Sequence, residues 1–354
     1  MIAGEDKVKL TPMGHDGRHK TVAGFVNPFA TSKHASLVDF IKARFRSGKW
    51  AKYNPAQYTV PTARPVFAQP GHGVEREEQP VVTWIGHSTV LLQHCGINVL
   101  TDPVFSNYAS PLSFAGPKRI TAPAVTIGEL PPNDVVVISH NHYDHLDTAS
   151  VQALGNTPRY FVPLGVKVWM VAKGIAPERV TELDWWESHT VTVRGVQVEV
   201  TATPTQHFSG RGLFDSDKTL WVSWLVDWGG FTSWFGGDTG YNEHQFREIG
   251  ERFPDIDFGI IPIGAYEPQW FMGRIHVTPE EAVRIHQDIG ARQSMGIHWG
   301  TFILTAEEID EPPRRLAAAL EQVGLAAEDF AVFAVGESRP YPFTDLQPTQ
   351  RQSR

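Results

Sequence analysis

Ser139-His-Asn-His-Tyr-Asp-His145 follows directly on the apolar run Val135-Val-Val-Ile138. Three imidazoles and a carboxylate fall within six consecutive positions, 140 to 145. A short apolar run bounded by polar residues reads as a buried strand, which puts the motif on a loop at that strand's end. On an extended loop His140 and His142 turn toward one centre, while Asp144 and His145 offer a carboxylate and an imidazole to a second. Neutral imidazole and ionised carboxylate suit borderline divalent metals such as zinc, iron or manganese. Taken alone, a solvated His-rich loop is the simpler reading, and more donors are needed.

They lie further along, each at the end of an apolar segment. Val198-Glu-Val-Thr-Ala-Thr-Pro-Thr-Gln precedes His207, Phe231-Thr-Ser-Trp-Phe-Gly-Gly precedes Asp238, and Ser294-Met-Gly-Ile precedes His298. In a strand-rich chain such endings converge at one sheet edge. Gly236, Gly237 and Gly240 allow backbones to approach closely around Asp238.

The rest of the chain is compatible with such a scaffold. Its 354 residues suffice for a large core, and 41% apolar with 20% charged residues is ordinary for a globular protein. A net charge of -8 gives no global basic field, so nucleic acid is not expected as a partner. The one cysteine, Cys95, excludes an internal disulfide and a thiolate zinc site; it reads as a small buried residue near a strand end. The start, Met1-Ile-Ala-Gly-Glu-Asp6, is polar and unlike a secretory signal, and no apolar stretch approaches the roughly 20 residues that span a bilayer. The expectation is a cytoplasmic protein, with peripheral membrane contact open.

Residues 1–79 read as an N-terminal extension packed on the core, 80–345 as the catalytic domain and 346–354 as a flexible tail. Leu37, Phe40, Ile41 and Phe45 recur at helical spacing, and Pro55, Pro61, Pro65 and Pro70 mark extended chain. Strands are expected at 81–85, 89–92, 97–101, 135–138, 160–162, 191–193, 196–201, 220–226, 231–235, 258–261 and 293–297. Thr278-Pro-Glu-Glu281 reads as a capped helix start, Thr305-Ala-Glu-Glu308 as another, limited by Pro312 and Pro313, and residues 314–323 as a helix stopped by Gly324.

At this point the chain resembles the metallo-β-lactamase-fold hydrolases, in the branch of the N-acyl-phosphatidylethanolamine-hydrolysing phospholipases D and their bacterial relatives. The motifs are Ser139–Asp147, Trp84-Ile-Gly-His-Ser-Thr89, Leu100-Thr-Asp-Pro-Val-Phe105, Gly116-Pro-Lys-Arg119, Gly236-Gly-Asp-Thr-Gly-Tyr241, Ile261-Pro-Ile-Gly-Ala-Tyr-Glu-Pro268, His276-Val-Thr-Pro-Glu-Glu-Ala-Val283 and Ile297-His-Trp-Gly-Thr-Phe302. The resemblance covers most of residues 24–340. It implies an α+β fold, a four-layer αββα sandwich. It implies that His140, His142 and His207 bind one metal, that Asp144, His145 and His298 bind another, and that Asp238 bridges them. Two Zn2+ are the implied cofactors, and iron or manganese would suit the same donors.

The implied chemistry is phosphodiester hydrolysis. Two cations roughly 3.5–4 Å apart acidify a bridging water and clamp a phosphoryl oxygen. Asp144, Asp238, His276 and His87 are the expected catalytic residues, with His87, His276 and Asp147 also able to orient ligands. Asp102 could anchor a ligand imidazole, and Gln206 is a weaker candidate. The branch implies hydrolysis of N-acyl-phosphatidylethanolamine to N-acylethanolamine and phosphatidic acid, on a phospholipid substrate, by a homodimer. Hydrolysis of a soluble phosphodiester is the alternative, ahead of a nuclease, a lactonase or a non-enzymatic metal-binding protein. Trp185, Trp186, Trp221, Trp224, Trp228, Trp234, Trp270 and Phe271 are candidates for a lipid groove, though core burial is the commoner fate of tryptophan. Phe25 and Phe29 fall in the region that approaches membrane in the family, and Lys118 and Arg119 could meet a phosphate at the entrance.

Overall fold

The computed structural model describes residues 8–9, 17–29, 53–68, 79–212 and 214–343. The helix expected around 37–45 and the tail at 346–354 lie outside them.

Two mixed sheets face each other. The first runs in the order Ser338–Pro340, Val81–Gly86, Thr89–His94, Ile97–Thr101, Val135–Val137, Arg159–Pro163, Val180–Leu183. Its pairing is antiparallel as far as Ile97–Thr101 and parallel beyond. The second runs Val8–Lys9, Ser188–Val193, Val196–Thr203, Ser223–Trp228, Phe231–Phe235, Phe258–Pro262, Gln293–Ile297, Phe330–Ala331, and turns parallel from Phe231–Phe235 onward.

Alternation along the strands divides the core. Val135, Val137 and Phe161 enter the cluster between the sheets, together with Trp84 and Trp224. Val136, Ile138, Tyr160 and Val162 point the other way, onto Val151, Leu154 and Met170, which belong to helices Thr148–Leu154 and Lys167–Ala172. That strand reads as an unbroken apolar run because both of its faces are covered. Phe246, Ile249, Ala282, Ile285, Leu316 and Leu320 supply the buried stripes of helices Glu243–Arg252, Pro279–Asp288 and Glu311–Val323, which belong with the second sheet. The result is the expected four-layer αββα sandwich.

Thr278 caps its helix as expected: its side chain accepts from the Glu281 amide at 3.2 Å, and the Glu281 carboxylate accepts the Thr278 amide at 2.9 Å. Thr305 does not. The helix begins at Glu311 with prolines in its first turn, where the missing N–H costs nothing, and the Thr305 hydroxyl donates instead to Glu307 at 2.7 Å. The strand expected from Leu220 begins at Ser223. Leu220 and Val222 donate their amides to Leu164 and Ser139, so this stretch ties the second sheet to the loops of the first. Cys95 is half-exposed rather than buried; it sits in the turn before Gly96 with φ of 50°. No helix among the described residues is long and apolar enough to cross a membrane.

Candidate metal centre

Every donor sits just past a strand end, on the side where the two sheets meet. His87 turns the chain from Val81–Gly86 into Thr89–His94; His140, His142, Asp144 and His145 follow Val135–Val137. His207, Asp238 and His298 follow Val196–Thr203, Phe231–Phe235 and Gln293–Ile297. His87 and His298 have left-handed backbones, φ 54° and 62°, as does Asp102 at 28°. Such non-glycine conformations cost about 1–3 kcal/mol each and persist only where the surroundings hold them. The glycines act as expected at two positions. A Cβ on Gly237 would fall 2.5 Å from the Ser139 Cβ, and one on Gly240 would fall 2.3 Å from the Arg274 carbonyl oxygen.

The imidazoles converge in two adjoining groups. His142 Nδ1 lies 2.8 Å from His140 Nε2 and 3.2 Å from His207 Nε2. Beside them, Asp144 Oδ2 is 3.5 Å from His145 Nε2 and 3.4 Å from His298 Nε2. Asp238 stands between: Oδ2 is 3.9 Å from His140 Nε2, 3.8 Å from His207 Nε2 and 3.1 Å from His145 Nε2, while Oδ1 is 3.2 Å from His298 Nε2. His87 Nε2 contacts Asp144 Oδ2 at 3.2 Å, and His276 Nδ1 lies 4.0 Å from Asp238 Oδ2.

These donors fit metal ions. His145 Nε2, His298 Nε2 and Asp238 Oδ1 are buried without a hydrogen-bond partner, a costly arrangement unless something fills the gap. The outward nitrogens of His207 and His145 are already committed. His207 Nδ1 donates to the Ile275 carbonyl at 2.8 Å, and His145 Nδ1 donates to Asp102 Oδ2 at 2.6 Å. Each bond fixes the tautomer whose Nε2 lone pair points inward. His140 Nδ1 is 2.9 Å from the Ser139 hydroxyl, which in turn donates to Asp102. Asp102 therefore accepts from the Ser139 amide, the Ser139 hydroxyl and His145 at once.

Burial holds the first group neutral, pushing His140 and His207 well below the usual imidazole range and His142 down to about 4. Burial opposes charge on His298 too, but the nearby Asp238 and Asp144 carboxylates outweigh it and push it up to about 9. Asp238 is held well below the carboxylate range, because His145, His298 and His276 overcome the cost of burying it.

Other candidates fall elsewhere. Asp147 caps helix Thr148–Leu154 and accepts from Ser106 and Ser150, and it is not in the donor clusters. Gln206 binds the Arg274 carbonyl and Asn242. Arg119 is not at an entrance: it is buried, donates to the Ser106 and Val104 carbonyls, and stacks on Phe302 at 4.7 Å. Trp185, Trp221, Trp224, Trp228 and Trp234 belong to the core, whereas Trp270 is 53% exposed. Trp186 lines a cavity of about 300 Å³ with Leu225, Arg252 and Phe253, residues separate from the donor clusters.

Two residues near the donors escape sequence reasoning. Arg211 donates to the Asn141 and Leu146 carbonyls at 2.8 and 2.6 Å and stacks on Tyr143 at 4.0 Å, clamping the His-rich loop. Asn27 reaches the carbonyl of His207 at 2.7 Å. Both act on backbone oxygens far away in sequence, which leaves no local signature.

Residues 97–299 match the family described as a beta-lactamase superfamily domain. A Caenorhabditis elegans protein, N-acyl-phosphatidylethanolamine-hydrolyzing phospholipase D 1, is 42% identical over 263 residues, 72% of this chain and 74% of its own. The mitochondrial N-acyl-phosphatidylethanolamine-hydrolyzing phospholipase D of Saccharomyces cerevisiae is 39% identical over 246 residues, 68% of this chain; the match spans only 52% of the yeast protein. Among solved structures, a metallo hydrolase from the archaeon Ignicoccus hospitalis superposes with a TM-score of 0.55 at 20% identity, over 75% of this chain and 100% of that one, a likeness of fold.

Proposed function

The chain belongs to the beta-lactamase superfamily and is a metal-dependent hydrolase of that fold, and from this premise we propose that it is a dinuclear phosphodiesterase acting on N-acyl-phosphatidylethanolamine. The products are N-acylethanolamine and phosphatidic acid. The observation that carries the reading is one carboxylate, Asp238, standing between two imidazole groups and offering an oxygen to each. The identity to the nematode phospholipase supports the substrate.

His140, His142 and His207 would hold one cation, Asp144, His145 and His298 the other, with Asp238 shared; zinc suits this nitrogen-rich set. When bound, two such cations supply Lewis acidity toward a phosphoryl oxygen and acidify water. Asp102 and Ile275 keep His145 and His207 in the right tautomer. His87, pushed down to about 3 by burial and by His298, stays neutral and orients Asp144 through Nε2. Burial brings His276 down to about 4, so its Nδ1 serves as a neutral hydrogen-bonding group toward substrate rather than a preloaded acid. Contact with a membrane surface and pairing into a homodimer belong to the same proposal.

Metal-quantified protein should be given N-acyl-phosphatidylethanolamine, a soluble aryl phosphodiester, RNA, a lactone and a thioester. Mass spectrometry should find N-acylethanolamine and phosphatidic acid. Cleavage of the soluble diester alone would remove the lipid substrate, and turnover of only the lactone or thioester would remove the phosphodiesterase.

A further inference from the structure

We infer that Asn27 is a positioning residue for the His140–His142–His207 donor group, brought there by the N-terminal segment 17–29. The inference rests on the metal centre of the proposed function and not on its substrate.

The segment is anchored independently of Asn27. Lys20–Thr21 pairs with Gly24–Phe25 in a small hairpin. His19 Nε2 lies 2.8 Å from Asp184 Oδ1, the Lys20 ammonium contacts the other oxygen of that buried carboxylate, and the His19 ring stacks on Trp185 at 4.4 Å. The Phe25 amide donates to the Asp217 carbonyl at 2.8 Å. The chain then delivers Asn27 to the edge of the centre. Its Nδ2 donates to the His207 carbonyl at 2.7 Å, and its Oδ1 accepts from the indole of the fully buried Trp221 at 3.0 Å.

His207 follows strand Val196–Thr203 and lies beyond its ladder. Its ring is fixed by Ile275 and its backbone by Asn27, so the direction of Nε2 depends on both. An amide is the side chain that meets both neighbours: it donates to a carbonyl and accepts from an indole. Aspartate keeps the size and the acceptor but has no donor for His207. Leucine keeps roughly the volume and has neither. Removing a partner that orients a ligand typically costs 10–100-fold in metal affinity. Because Asp184 and Asp217 still hold the segment, the loss should be confined to the group containing His207.

The test is zinc binding, read by competition with a fluorescent chelator, on metal-free parent, Asn27→Asp and Asn27→Leu, with thermal melting of the metal-free proteins as a control on folding. The parent should take up two equivalents. In both variants one equivalent should weaken by about 10–100-fold while the other keeps its parental affinity. Both equivalents unchanged, or both weakened alike, would overturn the role of Asn27. A parent that takes up no zinc would overturn the metal centre itself. A parent holding two zinc ions yet inert on phosphodiesters would remove the proposed substrate, and the variants would still decide the role of Asn27.

Discussion

At the scale of single residues, the donor set depends on atoms held in place from outside. His142 turns Nδ1 toward its neighbours, whereas His140 and His207 turn Nε2, so its ring sits on edge to theirs, at 83° and 77°. His142→Ala should therefore delete one corner of the first group without disturbing the second. Elemental analysis should show one of two metal equivalents lost, and hydrolysis should fall by more than the roughly 10–100-fold that loss of an orienting partner costs. Circular dichroism should be unchanged, since the residue lies on a loop outside the strands. Full turnover with both equivalents retained would remove His142 from the centre. These donors are legible in sequence because each ends an apolar run. Asn27 and Arg211 are not, because their partners are main-chain carbonyls about 180 and 65–70 positions away. The positive φ of His87, Asp102 and His298 is equally hidden: it follows from packing, and no residue there is glycine.

At the scale of elements, legibility follows how local the cause is. Ile97–Thr101, Phe231–Phe235 and Gln293–Ile297 match their expected bounds because apolar content and flanking turn residues lie within the segment itself. Val180–Leu183 escapes notice because Thr181 and Glu182 break its apolar pattern at a sheet edge. Ser338–Pro340 is a strand only through pairing with Val81–Thr83, far back in the chain. Thr305 shows the same effect in reverse. Its local capping pattern is overridden by Glu307, whose carboxylate accepts the amides of Ala265 and Glu267 at 2.6 and 3.1 Å, as well as the Thr305 hydroxyl. Glu307 thereby secures the loop after strand Phe258–Pro262, where a Cβ on Gly264 would fall 2.2 Å from the His298 carbonyl oxygen. Burial pushes the Glu307 carboxyl up, and its hydrogen bonds only partly counter this. A carboxyl with a raised folded-state pKa binds its proton more tightly when folded. Its stabilising contribution is present below the ordinary value of 4.5 and is lost as pH climbs from there through the raised value. Urea unfolding from pH 4 upward should thus show Glu307→Gln gaining on the parent as pH rises across that window. A difference that stays flat with pH would mean that Glu307 is not protonated more readily in the folded chain.

At the scale of the whole molecule, the centre lies across the boundary between the sheets. The first sheet supplies His87, His140, His142, Asp144 and His145, and the second supplies His207, Asp238 and His298. Cations held by both sets would join the two halves of the sandwich as well as serve catalysis. A ligand bound by the folded state alone stabilises it by RT ln(1 + [L]/Kd), about 2.7 kcal/mol at a hundredfold excess over Kd. Because the donors come from both sheets, that gain should be shared by the whole domain rather than confined to one loop. Chelated protein should melt several degrees below zinc-loaded protein, in one transition. Hydrogen exchange should speed up after chelation in both Val135–Val137 and Gln293–Ile297, the strands that lead into the two donor sets. Equal melting points at two zinc equivalents would show that the unfolded chain holds the ions as tightly as the folded one, and that they do not join the sheets. Faster exchange in one strand alone would show that only that strand's donors hold the ion tightly.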